Sequence, residues 1–201
     1  LDIKKYLSFV AKYKVSSFCA PPTAWRAFVG LDLAAYDFSA LKYSLSAGEP
    51  LNPEVIDQWR DATGTEIRDF YGQTESTAMI GNPPWMEGKM RLGSFGYPSS
   101  MYDVILADDE GKEITEPDIT GHIVVRLSNW RAIGLFQEYI ENEAKTSEAF
   151  KHGLYFTGDK ATFDKDGYWW FVGRADDVIK SSDYRVGTFK VKRALSEHSP
   201  I

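Results

Sequence analysis

Residues 69–76 read DFYGQTES, two aromatics and a glycine followed by Gln73, Thr74 and Glu75 among the polar side chains. Each type has a use beside a nucleotide. An aromatic face can stack on a purine, and a glycine lets backbone come close to a ligand. The Thr74 hydroxyl can donate to a phosphate oxygen, and Glu75 is a hard oxygen ligand suited to a Mg²⁺ ion that is already phosphate-bound. A strand end running into a polar loop accounts for the same residue types without any ligand. A second stretch, SAGEP at residues 46–50, has the same double reading, because Gly48 and Pro50 make a tight turn unaided.

The pattern along the chain places both stretches at strand ends. Ile3, Leu7, Val10 and Ala11 share one helical face. Residues 14–20 (KVSSFCA) form a β-prone run closed by two prolines, and a helix is expected over 24–29 after Thr23. Residues 43–47 (YSLSA) are strand-like. A punctuated helix follows, with Asn52 as N-cap, Pro53 in the first turn, Val55, Ile56 and Trp59 on one face and Gly64 past the end. Residues 66–71 return to strand. Strand, helix, strand in this order marks a βαβ unit, whose ligands gather at the carboxyl ends of the strands.

From about residue 93 the period changes. Residues 102–107, 121–127, 153–157, 161–163 and 167–172 are short runs rich in β-branched and aromatic residues, with DDEG and DKDG turns between them. They predict an antiparallel sheet or small barrel, interrupted by a helix over 142–150. Trp169 and Trp170 fall on opposite faces of a strand, one toward the core. The stretch RADDVIKSSDYRVG from Arg174 reads as a linker into a new unit.

Bulk properties exclude several classes. The 201 residues carry 43% hydrophobic and 14% aromatic side chains, enough for a sizeable core. The net charge is −6 with both signs interspersed, which argues against nucleic acid as a partner. Cys19 is the single cysteine, so no internal disulfide forms and a reducing, cytoplasmic location is expected. The apolar runs are too short for a membrane span. His122, His152 and His198 have no carboxylate or histidine partner at ligand spacing, so they read as surface or edge residues. DKDG lacks the further acidic positions of an EF-hand loop and reads as a hairpin turn.

Order and spacing then add a resemblance. SAGEP, DFYGQTES, YFTGD at residues 155–159 and GRADDVIKSS from Gly173, taken together, resemble the adenylate-forming superfamily of acyl-CoA synthetases, luciferases and non-ribosomal adenylation domains. With SAGEPLNPEV and GLFQEY included, the chain looks most like the medium-chain acyl-CoA synthetase branch. The fold this implies is α/β plus β. Part of a βαβ nucleotide-binding subdomain (1–92) is followed by a small antiparallel β-barrel-like subdomain (93–174), then a hinge and the start of a C-terminal domain that is otherwise missing (175–201).

The resemblance also implies roles. Gly48, Glu49 and Pro50 match the segment lining adenine, and Asp69, Phe70, Tyr71, Gly72, Gln73 and Thr74 match the segment wrapping adenine and α-phosphate. Thr74 would contact phosphate and Glu75 the Mg²⁺. Asp159 matches the carboxylate that grips the ribose hydroxyls, and Arg174 the arginine near ribose and phosphate, a permanent planar cation. Asp176 falls at the hinge. Ser182, Asp183, Tyr184 and Arg185 match the loop lining the coenzyme A tunnel, where the family has glycine in place of Asp183; Lys190 stands where relatives usually carry glutamate. The implied reaction is ATP-dependent activation of a small carboxylic acid to acyl-AMP and pyrophosphate, then thioester formation on coenzyme A. Acetate-specific relatives resemble this motif but carry tryptophan in place of Gly72, so an open pocket for butyrate or longer, or aromatic, acids is expected. The family's phosphate-binding loop and C-terminal catalytic lysine have no counterpart in the 201 residues, which are therefore expected to bind nucleotide weakly and to catalyse nothing alone. An aryl-CoA ligase, a carrier-protein-loading adenylation domain and a non-catalytic nucleotide-binding module are the alternative classes, and a homo-oligomer of the parent is compatible with all of them.

Overall fold

A computed structural model describes residues 2–49, 51–86, 90–127, 130–176, 179–181 and 184–186. The chain divides into two units, residues 1–72 with 80–96, and residues 73–79 with 97–201.

The first unit alternates helix and strand: α1 (Ile3–Lys12), β1 (Ser17–Ala20), α2 (Pro22–Val29), β2 (Tyr43–Ala47), α3 (Pro53–Thr63) and β3 (Ile67–Gly72). β1, β2 and β3 lie side by side and parallel, with Phe18 opposite Ser44 and Leu45 opposite Arg68. The helix boundaries follow local chemistry. Asp2 caps α1 by accepting from the Lys5 N–H. α3 keeps the predicted punctuation, with the Asn52 side chain accepting from the Glu54 N–H and Gly64 left-handed at φ 73°. α2 starts one residue earlier than Thr23 because Pro22 has φ preset for the first turn and its missing N–H would have no partner there.

Trp25, Phe28 and Trp59 fill the core of this unit with Leu7, Val55, Ile56 and Ile67. The Trp25 and Trp59 rings meet edge to face at 4.8 Å. Their polar ends are satisfied inside: Trp59 Nε1 donates to Ser44 Oγ at 2.9 Å and Trp25 Nε1 to the Leu45 carbonyl at 3.1 Å. Both bonds land on β2, which fixes the strand whose end carries SAGEP.

Next in the chain come β4 (Ala78–Gly81) and the two-residue β5 (Tyr97–Pro98), neither of them legible as a run. The second unit is built on β6 (Val104–Ala107), β7 (Gly121–Arg126), β8 (Phe150–Lys151), β9 (Leu154–Phe163) and β10 (Trp169–Arg174), with α4 (Glu143–Ala149) before β8. The sheet is antiparallel in the order β10-β9-β7-β6, and β8 pairs with β9. Leu106, Ala107, Ile123, Val124, Val125, Leu154 and Ala161 are buried on it. Trp169 is buried, while Trp170 is half-buried and donates from Nε1 to Asp164 Oδ2 at 3.2 Å in the hairpin turn.

One departure from the sequence pattern matters for function. Two runs, 153–157 and 161–163, are a single ten-residue strand, β9. The TGD segment that reads as a break is a bulge: the register passes from His122 opposite Lys160 to Val124 opposite Phe156. Gly158 sits in it at φ 78°. The stretch after Arg174 contains a further antiparallel pair, β11 (Ile179–Ser181) and β12 (Tyr184–Val186). Among the described residues no helix is long and apolar enough to cross a membrane.

Candidate functional site

The bulge in β9 aims Asp159. Thr157 Oγ1 donates to the Ile123 carbonyl at 2.9 Å and accepts from the Asp159 N–H at 3.1 Å, so one hydroxyl closes the bulge from both sides. Asp159 is 5% exposed. Its Oδ2 accepts from Gln73 Nε2 at 2.9 Å, and its Oδ1 lies 3.4 Å from Arg174 Nη1. Gln73 also donates to the Thr157 carbonyl at 2.9 Å and accepts from the Tyr155 hydroxyl at 2.9 Å. Residues 73, 155, 157, 159 and 174, from three quoted motifs, therefore form one hydrogen-bonded cluster within the second unit.

Arg174 ends β10 directly opposite Asp159. Its side chain is half exposed, leaving the cation accessible from solvent. Gly158 is favoured here by its left-handed φ; a Cβ would stand 3.1 Å from Arg174 Nη2, a contact that the half-exposed side chain can relieve by a small shift. Asp176, the expected hinge residue, is exposed, with Oδ1 3.4 Å from Arg174 Nε.

Thr74 and Glu75 occupy the tip of a turn closed by the Ser76 N–H donating to the Gln73 carbonyl at 3.0 Å. Thr74 is exposed and Glu75 half-buried. Glu75 Oε1 accepts from the Tyr139 hydroxyl at 2.8 Å, and its backbone carbonyl accepts from the Phe136 N–H at 2.8 Å, so the residue is held once through its side chain and once through its main chain. Burial, then the Glu75 carboxylate, push the Tyr139 phenol up to about 12. Tyr155 is raised as well, first by burial and then by nearby negative charge. Both phenols stay protonated, hence donors, across the physiological range.

In the first unit, Gly48 follows β2 at φ 102°, a conformation that favours glycine, and Glu49 is exposed with Oε2 3.8 Å from Arg26 Nη2. Asp69 lies inside β3. Desolvation raises it to about 7 although the Leu51 and Phe70 N–H groups both donate to its carboxyl. Its carbonyl accepts from the N–H and Nδ2 of buried Asn82 at 3.2 Å each. Phe70 lies against Gly81, where a Cβ would meet its ring at 2.2 Å, and the Tyr71 ring stands 5.4 Å from Phe95. Gly72 closes β3.

Pro50, Ser182, Asp183 and Lys190, and the side chains of Tyr184 and Arg185, lie outside the described residues, so the coenzyme A loop is not placed; His198 lies outside them too. Tyr139 and Tyr155 carry no role in the motif pattern, because their partners stand 64 and 82 residues away. His122 has a carboxylate partner that spacing did not indicate, Asp109 Oδ1 at 2.8 Å from Nε2.

Residues 1–139 match the family model described as "AMP-binding enzyme". The chain belongs to this family. Members of it resemble the chain along its whole length. It is 57% identical over 201 residues to 4-hydroxybutyrate–CoA ligase 1 of Metallosphaera sedula, covering all of the chain and 35% of that protein. It is 44% identical over 195 residues to the mitochondrial acyl-coenzyme A synthetase ACSM3 of Mus musculus, covering 97% of the chain and 33% of that protein. The crystal structure of the anthranilate CoA ligase AuaEII in complex with anthranoyl-AMP superposes with a TM-score of 0.87 at 33% identity, covering 98% of the chain and 37% of the ligase. The α/β plus antiparallel β architecture is thus that of AMP-binding enzymes. The chain spans about a third of the length of the curated relatives it matches.

Proposed function

We propose that this chain carries the nucleotide-handling part of an AMP-forming acyl-CoA synthetase. The observation that supports it most is the Gln73–Asp159 hydrogen bond, which joins the YGQTES turn to the YFTGD strand across 86 residues of sequence. That contact joins a buried carboxylate and a half-exposed arginine in one hydrogen-bonded cluster, with the half-buried Glu75 two residues on from Gln73, the donor and acceptor set that a ribose phosphate needs.

In this reading Asp159 accepts from the ribose hydroxyls, Thr74 donates to phosphate, and Arg174 meets the negative charge that grows on the α-phosphate during attack. Gly48, Glu49 and Pro50 line adenine with Asp69, Phe70, Tyr71 and Gly72. Glu75 offers a hard oxygen to Mg²⁺. Among the described residues no three His, Cys, Asp or Glu side chains cluster into a metal cage, and a single carboxylate suits an ion delivered with the phosphates. Bound there, Mg²⁺ neutralises phosphate charge.

The acid attacks the α-phosphate of ATP, pyrophosphate leaves, and the coenzyme A thiolate then displaces AMP from the acyl-AMP. Asp176 serves as the hinge between the two half-reactions, and Ser182, Asp183, Tyr184 and Arg185 line the thiol's approach. Gly72 keeps the acid pocket open to butyrate and longer or aromatic acids, and the location is cytoplasmic. The relatives named for 4-hydroxybutyrate and anthranilate support an acid larger than acetate.

The test is pyrophosphate release by the full-length protein with MgATP and acids from acetate to decanoate plus benzoate, each without and with coenzyme A. Release that depends on a medium-length or aromatic acid and saturates with coenzyme A is expected. Release without saturation by coenzyme A points to a carrier-protein acceptor. No release with any acid overturns the reading.

A further inference from the structure

The Gln73 amide makes three hydrogen bonds, and their chemistry fixes which way round it lies. Nε2 faces the Thr157 carbonyl and Asp159 Oδ2, both acceptors, each at 2.9 Å; Oε1 faces the Tyr155 hydroxyl at 2.9 Å. A flipped amide would set its oxygen against a carbonyl and a carboxylate at once, two repulsive contacts, and would leave Nε2 facing the hydroxyl. Tyr155 is 1% exposed and its ring is packed against Phe136 and Phe150, so the hydroxyl has a fixed address. The order of control runs from that ring to the amide and from the amide to the carboxylate.

The bond to Asp159 has a directional consequence. A carboxylate turns about its last bond unless something holds it, and Arg174 at 3.4 Å, with half of its side chain exposed, is a loose holder. Gln73 is the tighter one. It occupies one lone-pair direction of Oδ2, and each carboxylate oxygen offers about two. The plane of the group is thereby set.

We propose that Gln73, locked by Tyr155, is a positioning residue that presets the Asp159 carboxylate for a vicinal diol, and so governs how strictly the protein demands both ribose hydroxyls. The inference rests on the reading of Asp159 as the ribose acceptor. It assigns discrimination to a side chain that acts through the acceptor instead of touching the sugar. A glutamine suits this task because it supplies a donor to the carboxylate and an acceptor to the tyrosine from one rigid plane; leucine has the same bulk and neither.

The experiment is calorimetric binding of AMP, 2′-deoxy-AMP and 3′-deoxy-AMP to the full-length protein and to its Gln73→Leu and Tyr155→Phe variants, with thermal unfolding of each. The unmodified protein is expected to prefer AMP over either deoxynucleotide by about tenfold or more, the worth of a hydrogen bond to a charged group. Gln73→Leu should weaken AMP about tenfold while the deoxynucleotides change little, so the preference collapses toward one. Tyr155→Phe keeps the ring and frees the amide, and should lose roughly threefold of the preference. A merely structural role would weaken all three nucleotides alike and leave the ratio intact; that result in either variant overturns the proposal. If Gln73→Leu fails to fold, the ratio in Tyr155→Phe decides alone. An unmodified protein that binds no AMP, or binds all three equally, would overturn the ribose reading itself, a different failure from a ratio that survives the substitutions.

Discussion

The adenine-matching residues of the first unit and the ribose- and phosphate-matching residues of the second are held by opposite means. Phe70 is placed by shape: its ring rests where Gly81 has no side chain, and Gly96 approaches so closely that a Cβ would stand 2.0 Å from the Gly81 carbonyl oxygen. The Asp69 backbone is tied down by Asn82, and its carboxyl sits in surroundings poor enough in water to hold its proton up to about 7. Asp159 and Glu75 are placed instead by donors on other side chains, Gln73, Arg174 and Tyr139. A wall held by steric fit fails all at once when volume is added. A wall held by discrete hydrogen bonds can lose one and keep its shape, so its members should respond one bond at a time.

The sharpest way to separate the two is pH. Asp69 has an ordinary value of 3.8 and about 7 in the folded protein. Below pH 4 both the folded and unfolded chains hold the proton and nothing is lost. Between 4 and 7 the unfolded chain gives it up while the folded one keeps it, so stability falls as pH rises, and the loss is complete above 7. The full effect is on the order of 4 kcal/mol. Asp69→Asn, whose single side-chain oxygen keeps an acceptor for one of the Leu51 and Phe70 N–H groups, is less stable by a pH-independent amount but should remove that slope, so the difference between the unfolding midpoints of the two proteins should change steadily from pH 4 to 7. Parallel curves would mean that the carboxyl is solvated and that the first unit is no drier than the second.

How far this contrast could be read from sequence depends on the range of the forces involved. α3 was legible to the residue because Asn52, Pro53 and Gly64 act within one turn of the helix ends, and β2 because its run is bounded by Gly48. The bulge in β9 was not. A glycine flanked by Thr157 and Asp159 looks like a break, and only the pairing with Ile123 on β7 turns it into a kink within a continuous strand. The candidate site residues of DFYGQTES and YFTGD stand out by motif. Their supports, Tyr139, Tyr155 and Asn82, were not, because a tyrosine or asparagine means nothing locally until its partner is known. Polar placement is written in pairs far apart in the chain; steric placement leaves glycines that a reader can see but cannot assign.

Gly81→Ala tests the steric side. Its Cβ would come within 2.2 Å of the Phe70 ring, and a ring in contact at 2.5 and 3.1 Å through two further atoms has to move as a whole. The expected cost is about 2 kcal/mol of stability, the usual size of forced overpacking, accompanied by weaker AMP binding as the Phe70 wall shifts. Both changes should appear together in thermal unfolding and nucleotide titration. Unchanged stability would show that the Phe70 ring swings aside freely, and the first unit would then lose its claim to be fixed by shape.

Tyr139→Phe should have the smallest effect and probes the polar side alone. The phenylalanine keeps the edge contact with Phe136 at 4.8 Å and the Lys145 ammonium 4.1 Å from the ring centre, so packing survives. What disappears is one donor at 2.8 Å from Glu75 Oε1, worth about 1 kcal/mol, while the carbonyl of Glu75 keeps its bond from the Phe136 N–H. Glu75 then samples more orientations, and the Mg²⁺ concentration for half-maximal pyrophosphate release by the full-length protein should rise by roughly threefold with the unfolding midpoint nearly constant. A large loss of stability with unchanged Mg²⁺ dependence would reverse the assignment. The tyrosine would then be holding the fold together, and the two units would differ less in how they are built than in which of their supports happen to be polar.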